Sequence, residues 1–223
     1  MLDRRSFATA AVLAPFAGGA GAFAADGELQ EFKVYRNDSP IGRHSLRFAR
    51  EGSRLAVDID IELEVKLAFI TLYRYRHTNR ELWEGGRLLS FASRTDDNGT
   101  PHQVKARRAG EVILVEGSKG LVEAPGDALP TTYWHRRFLD APVWIDTQEG
   151  VLKRCSVTPT GTVQVAAAGS SVGAEGFGIS GDLSLDLWYA GPQWVKLEFT
   201  GSDGSLIDYR LERGVPDLAL LAG

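Results

Sequence analysis

The sequence predicts an all-β protein, mainly antiparallel, in which a curved meander sheet forms a half-barrel or open barrel with one short helix. Three observations predict it. Apolar and charged residues alternate without a break from Leu55 to Phe69, turn signals recur at short spacing after that run, and only residues 125–142 change character.

In the alternating run, Leu55, Val57, Ile59, Ile61, Leu63, Val65, Leu67 and Phe69 share one face. Asp58, Asp60, Glu62, Glu64 and Lys66 share the other, the pattern of a strand with one buried and one wet face. At about 3.3 Å per residue such a strand would reach ~50 Å, so it must bend around something or break. If the chain turns near Ala68 to Ile70, Glu64 faces Arg74, Glu62 faces Arg76 and Asp58 faces Arg80, while Val65 and Leu63 meet Tyr73 and Tyr75. No Gly, Pro, Asn or Asp marks that turn, so a bulged corner in one continuous strand competes with the hairpin.

Further turns are predicted at Glu84-Gly85-Gly86-Arg87, at Asp96-Asp97-Asn98-Gly99 and at Ala109-Gly110. Thr131 or Thr132 is placed to cap a short helix over Tyr133 to Leu139, with Trp134 and Phe138 stacked at i and i+4. Then come Val143 to Ile145, a turn at Gln148-Glu149-Gly150, a strand near Leu152 to Val157, and a turn at Pro159-Thr160-Gly161-Thr162 before Val163 to Val165. The Gly/Ala/Ser-rich run from Ala166 to Gly178 reads as a mobile loop. Two hairpins close the chain, broken at Ala190-Gly191-Pro192 and Ser202-Asp203-Gly204.

The N-terminus reads as a twin-arginine signal peptide over residues 1–24, followed by a single β domain over residues 25–223. Arg4-Arg5-Ser6-Phe7 supplies the charged region, the apolar stretch after it is shorter than a bilayer span, and Ala22-Phe23-Ala24 offers a small-x-small cleavage pattern. The expected location is the periplasm. Losing Asp3, Arg4 and Arg5 moves the formal net charge from −4 to −5, an acidic balance that argues against nucleic acid as a partner. Cys155 is the single cysteine, which rules out an intramolecular disulfide and reads as a small apolar filler.

His44, His77, His102 and His135 stand singly, none with a second ligand at metal spacing, so neither a metal nor another cofactor is expected. Asp96, Asp97 and Asn98 read as turn formers. An enzyme, a periplasmic hydrolase or isomerase, remains one alternative: it would use His135 or His102 as general base with Asp96 or Asp97 nearby, and needs a histidine and a carboxylate to converge. The aromatic residues carry the sharper signal. Phe69, Tyr73, Tyr75, Trp83, Trp134 and Trp188 fall on strands or on the short helix and would line an apolar cavity under a curved sheet. They would equally fill an ordinary core, because composition does not set volume.

Several segments in order, among them Tyr73-Arg74-Tyr75, Gly86-Arg87-Leu88, Ser93 to Gly99, Thr132-Tyr133-Trp134, Trp144 to Gly150, Asp186 to Tyr189 and Asp203 to Leu211, resemble an exported bacterial family catalogued as domain of unknown function 6134. That resemblance implies no activity and no catalytic residues. The layout is also similar, as a fold, to periplasmic half-barrels of lipoprotein carriers and envelope-integrity proteins. The leading expectation is a periplasmic, non-enzymatic binding or carrier protein for a lipid-like or other apolar ligand. A structural or adaptor protein of the envelope is the third alternative.

Overall fold

A computed structural model describes residues 27–214. The signal peptide read at residues 1–24 lies outside the described residues. The first half of the chain is a meander of eight strands: β1 (Glu28–Arg36), β2 (Ser39–Glu51), β3 (Arg54–Leu67), β4 (Ile70–Glu84), β5 (Arg87–Asp97), β6 (Thr100–Ala109), β7 (Val112–Gly117) and β8 (Gly120–Pro125). A second meander follows residue 154: β12 (Cys155–Ala167), β13 (Ser170–Gly181), β14 (Leu185–Ala190), β15 (Gln193–Thr200) and β16 (Leu206–Arg213). The two meanders fuse where the first strand pairs antiparallel with the last, Phe32 opposite Leu211 and Val34 opposite Tyr209. Among the described residues the result is one sheet of thirteen strands, ordered from β12 through β16, then β1 through to β8.

The sheet rolls up. In its ladder β4 and β14 are six strands apart, about 29 Å if the sheet were flat, yet Tyr75 of β4 and Leu185 of β14 border the same cleft. Accumulated strand twist has brought the two meanders face to face without closing the ring.

Residues 126–154 cross the inside of this curl. They carry three two-residue strands, β9 (Leu129–Pro130), β10 (Trp144–Ile145) and β11 (Leu152–Lys153), which form a small sheet of their own, and a single 3₁₀ turn over Arg136–Asp140. Trp134, Phe138 and Trp144 of this plug are buried completely or nearly so. The helix is therefore shorter and later than expected. Tyr133 takes a positive φ of 61°, which breaks any helix begun at Thr132, and His135 caps the 3₁₀ turn instead. Trp134 and Phe138 consequently do not stack on each other. Trp134 meets Phe48 and Trp83 edge to face at 5.3 and 5.2 Å, and Phe138 stacks on Trp144 at 4.0 Å.

The β3–β4 pair has the register expected: Asp58 opposite Arg80, Glu62 opposite Arg76, Glu64 opposite Arg74, Leu63 opposite Tyr75 and Val65 opposite Tyr73. The continuous-strand alternative does not form. Ala68 supplies the turn with a φ of 53°, a conformation an L-residue adopts at a cost and that no turn-forming residue type announces. Outside, Arg80 chelates Asp58 at 2.7 and 2.9 Å and Arg74 pairs with Glu64 at 2.9 Å, whereas Glu62 is reached by Arg43 of β2.

Two expectations in the second meander are corrected. Residues 159–162 do not end a strand; β12 runs through them with a bulge between Pro159 and Gly161. The run from Ala166 to Gly178 is not a loop but the end of β12, a turn at Ala168-Gly169 and most of β13. Its glycines make room. A Cβ on Gly176 would lie 2.4 Å from the Thr160 hydroxyl and 2.9 Å from the Trp188 indole, so β13 accommodates Trp188 only because residue 176 has no side chain. Cys155 is half-buried, and its sulfur accepts the Leu183 N–H at 3.2 Å.

Candidate functional site

Along β3 the apolar face passes from core to open space. Leu55, Val57 and Ile59 are buried under the plug, Ile61, Leu63 and Val65 are only half-covered, and Leu67 is exposed. The half-covered stretch forms one wall of a half-open cleft of about 810 Å³, within the range of small-molecule sites. Leu185 of β14, with Leu197 and Phe199 of β15, forms the opposite wall, and Tyr133 and Gln148 of the plug form the floor.

Strand alternation explains what projects inward. On β4 the residues in phase are Tyr73, Tyr75, His77, Asn79, Glu81 and Trp83, so an aromatic face becomes polar as it runs beneath the plug. Each polar group there holds something. Tyr73 donates its hydroxyl to Asp97 at 2.8 Å, the Gln148 side-chain amide donates to the other Asp97 oxygen at 3.1 Å, and Tyr75 donates to Gln148 Oε1 at 3.0 Å. His77 Nδ1 lies 2.8 Å from the Thr95 hydroxyl. Deeper still, the buried Glu81 carboxylate accepts from Asn79 at 3.0 Å, from the Trp83 indole at 2.8 Å and from the Trp134 indole at 2.9 Å. Burial pushes its pKa up, against the pull of those donors. The Ser93 hydroxyl donates to the Thr147 carbonyl and completes a polar seam that fixes the plug to β4 and β5.

His44, in phase with Leu46 and Phe48 on β2, is the cleft's least satisfied group. It is 3 % exposed, wedged edge-on against Trp194 at 5.4 Å and Tyr209 at 5.8 Å, and neither ring nitrogen has a hydrogen-bond partner. Burial, with His77 nearby, lowers its pKa to about 3, so the ring is neutral. Burial likewise lowers His77 to about 4, against a weaker opposing effect of Asp146. Burial raises the phenol of Tyr209, which also borders the cleft.

The ligand-binding candidates read from sequence divide four ways. Tyr73 and Tyr75 border the cleft. Trp83 and Trp134 are sealed in the solid part of the core, 2 % and 0 % exposed. Trp188 points to the outer face between the inward Leu187 and Tyr189, with Lys196 4.9 Å above its ring. Phe69 sits fully exposed at the tip of the β3–β4 hairpin, beside exposed Leu67, Ile70 and Leu72, and Leu72 also borders the cleft.

The catalytic candidates do not converge. His135 lies under Trp83 at 5.3 Å, its Nδ1 accepting the Arg137 N–H, and its pKa falls to about 4 through burial and the nearby Arg137. His102 stands opposite Thr95 on β6, and Asp96 caps its own turn through the Gly99 N–H at 2.6 Å. Asp97 borders the cleft but bonds Tyr73 and Gln148, and among the described residues no histidine nitrogen is hydrogen-bonded to a carboxylate. Among the described residues no group of three His, Cys, Asp or Glu is placed to hold a metal, and no helix is long and apolar enough to cross a membrane. Sequence reasoning missed His44, His77, Tyr209 and Gln148. The signal for both histidines was phase, since each alternates with residues that point inward.

The fold has a solved counterpart. A crystal structure of a beta-barrel-like protein of domain of unknown function DUF1849 from Brucella abortus superposes with a TM-score of 0.57 at 11 % identity, over 82 % of this chain and 94 % of that one. At that identity the likeness concerns the fold alone. Comparison with curated proteins gives no match. The model of the domain of unknown function DUF6134 matches residues 32–212, spanning both meanders and the plug between them, and the chain belongs to that family.

Proposed function

We propose that this protein is a non-enzymatic binding or carrier protein that holds a lipid-like or other apolar molecule in the cleft between β2–β4 and β14–β16, and that it does so in the periplasm. The observation that carries this reading is the change along a single strand: β3 packs a solid core at its Leu55 end and walls a largely apolar, half-open cleft at its Val65 end. Leaving such a surface uncovered forgoes roughly 25 cal/mol for every Å² that a ligand would remove from water. The apolar hairpin tip at the rim supports a route by which a poorly soluble molecule enters. The twin-arginine segment supports export.

Native mass spectrometry of the full chain purified from its own host, together with titration of an apolar fluorescent probe, tests the reading. A co-purified mass, or saturable probe binding that Leu63→Trp weakens without lowering Tm, supports it. A clean ligand-free mass combined with no saturable probe binding overturns it.

A further inference from the structure

We propose that the ligand of this cleft is a neutral amphiphile, and that a hydroxyl, carbonyl or amide group on it hydrogen-bonds the imidazole of His44. The inference rests on the carrier reading above and narrows the class of molecule.

A neutral imidazole offers one N–H donor and one lone-pair acceptor, and buried polar groups of this kind are almost always paired. His44 borders the cleft with both unpaired, although it is nearly inaccessible to solvent. The neighbouring polar side chains have settled on one another. His77 is taken by Thr95, Tyr73 by Asp97 and Tyr75 by Gln148, so none of these turns to His44. The rings that pack around the imidazole, those of Phe32, Trp194 and Tyr209, present it with aromatic surface and hold it in place. The ring borders the cleft, and a ligand group would reach its nitrogens from that side by a small shift of the imidazole or its neighbours.

Electrostatics decides the class of the polar group. Among the described residues the charged side chains bordering the cleft are Arg36, Asp97, Asp146 and Asp203; Arg36 is already paired with Asp203 at 2.6 Å and Asp146 with Lys153 at 3.7 Å. A carboxylate or phosphate entering would lose its hydration and meet an excess of negative charge with no unpaired cation to compensate. A cation would find Asp97 occupied by Tyr73 and Gln148, and Asp146 by the backbone N–H groups of Gln148 and Glu149. A neutral group needs neither. With its polar group at His44, opposite Ile61, the molecule's apolar part would lie along Leu63 and Val65 toward the rim.

The test uses four probes of equal chain length on the full chain at pH 8: 1-decanol, decane, decanoate and decylamine. Binding is followed by displacement of a fluorescent probe and by long-range ¹H–¹⁵N spectra of the histidine rings. Decanol is expected to bind about tenfold more tightly than decane, the worth of one good hydrogen bond, and to shift the His44 ring nitrogens while decane does not. Decanoate and decylamine are expected to bind more weakly than decanol. His44→Phe should remove the preference for decanol over decane, and His44→Gln should retain part of it. Should His44→Phe fail to fold, the four-probe ranking and the ring shifts on the unaltered chain decide the matter. The inference is overturned, with the carrier reading intact, if decane binds but decanol gains nothing, if either charged probe binds best, or if the His44 nitrogens do not respond. If none of the four binds, both fail together.

Discussion

The indole N–H of Trp134 donates to Glu81 Oε2 at 2.9 Å, and the indole of Trp83 donates to the same oxygen at 2.8 Å. One buried carboxylate thereby ties the plug to β4 beneath the cleft. Replacing it with an apolar residue leaves two indole donors and the Asn79 amide without their acceptor. Glu81→Leu is therefore expected to cost about 3 kcal/mol, and Glu81→Gln less because its amide oxygen still accepts. Urea unfolding at pH 7 measures both, and a Glu81→Leu protein as stable as the parent would refute the role assigned to this carboxylate.

Acid should weaken the fold through its buried histidines. His44, His77 and His135 have folded pKa values of about 3, 4 and 4 against a free value of 6.5. The unfolded chain thus takes up protons that the folded chain refuses. Stability present above pH 6.5 is lost as the pH falls toward 4, by about 2 kcal/mol per histidine at pH 5. Glu81 acts in the opposite sense, because a raised pKa favours the folded state at low pH, and it offsets part of the loss. Unfolding curves between pH 7 and 5 should show the decline, and His77→Phe should make it shallower by one histidine's share.

Ala68, which is exposed, carries a φ of 53° in the two-residue turn between β3 and β4. Ala68→Gly is expected to raise stability by up to about 1 kcal/mol by relieving that conformation, and Ala68→Val to lower it. Thermal melts of the two variants give the ordering, and the reverse ordering would contradict the turn geometry.

Phe69 projects from the same turn wholly into solvent. Phe69→Asp should leave ΔG of unfolding within about 0.5 kcal/mol, since nothing packs against the ring. Retention on a hydrophobic-interaction column should fall, because the tip's apolar surface is then interrupted. A large loss of stability would mean that the tip is covered.

The fold was most legible where two independent patterns agreed. Between β3 and β4 the charges matched on one face and the apolar residues on the other, so the register followed even though the turn residue was an alanine. β13 was hidden because its glycines, which elsewhere mark loops, here give Trp188 and Thr160 space. The strands of the plug were hidden too, since two-residue bridges such as Trp144 opposite Lys153 are dictated by what surrounds them. The site was legible from one side only. Tyr73, Tyr75 and Asp97 lie on the meander that the alternation revealed, whereas Tyr209, Leu185 and Leu197 reach them only through the curl, a long-range consequence of strand twist.

A rolled sheet that does not close must end somewhere, and among the described residues it ends on β8 and β12. The end of β12 is covered, Val165 and Ala167 being buried and the next residue, Ala168, donating its N–H to the Leu211 carbonyl of β16, but the earlier part of the strand would invite a neighbouring molecule to continue the ladder. Pro159 has no amide hydrogen to offer such a neighbour, and the bulge beside it throws the hydrogen-bonding rhythm out of step midway. An approaching chain would have to change register at that point or stop. The irregularity at Pro159 thus works against edge-to-edge pairing along β12, and restoring regularity there would favour it.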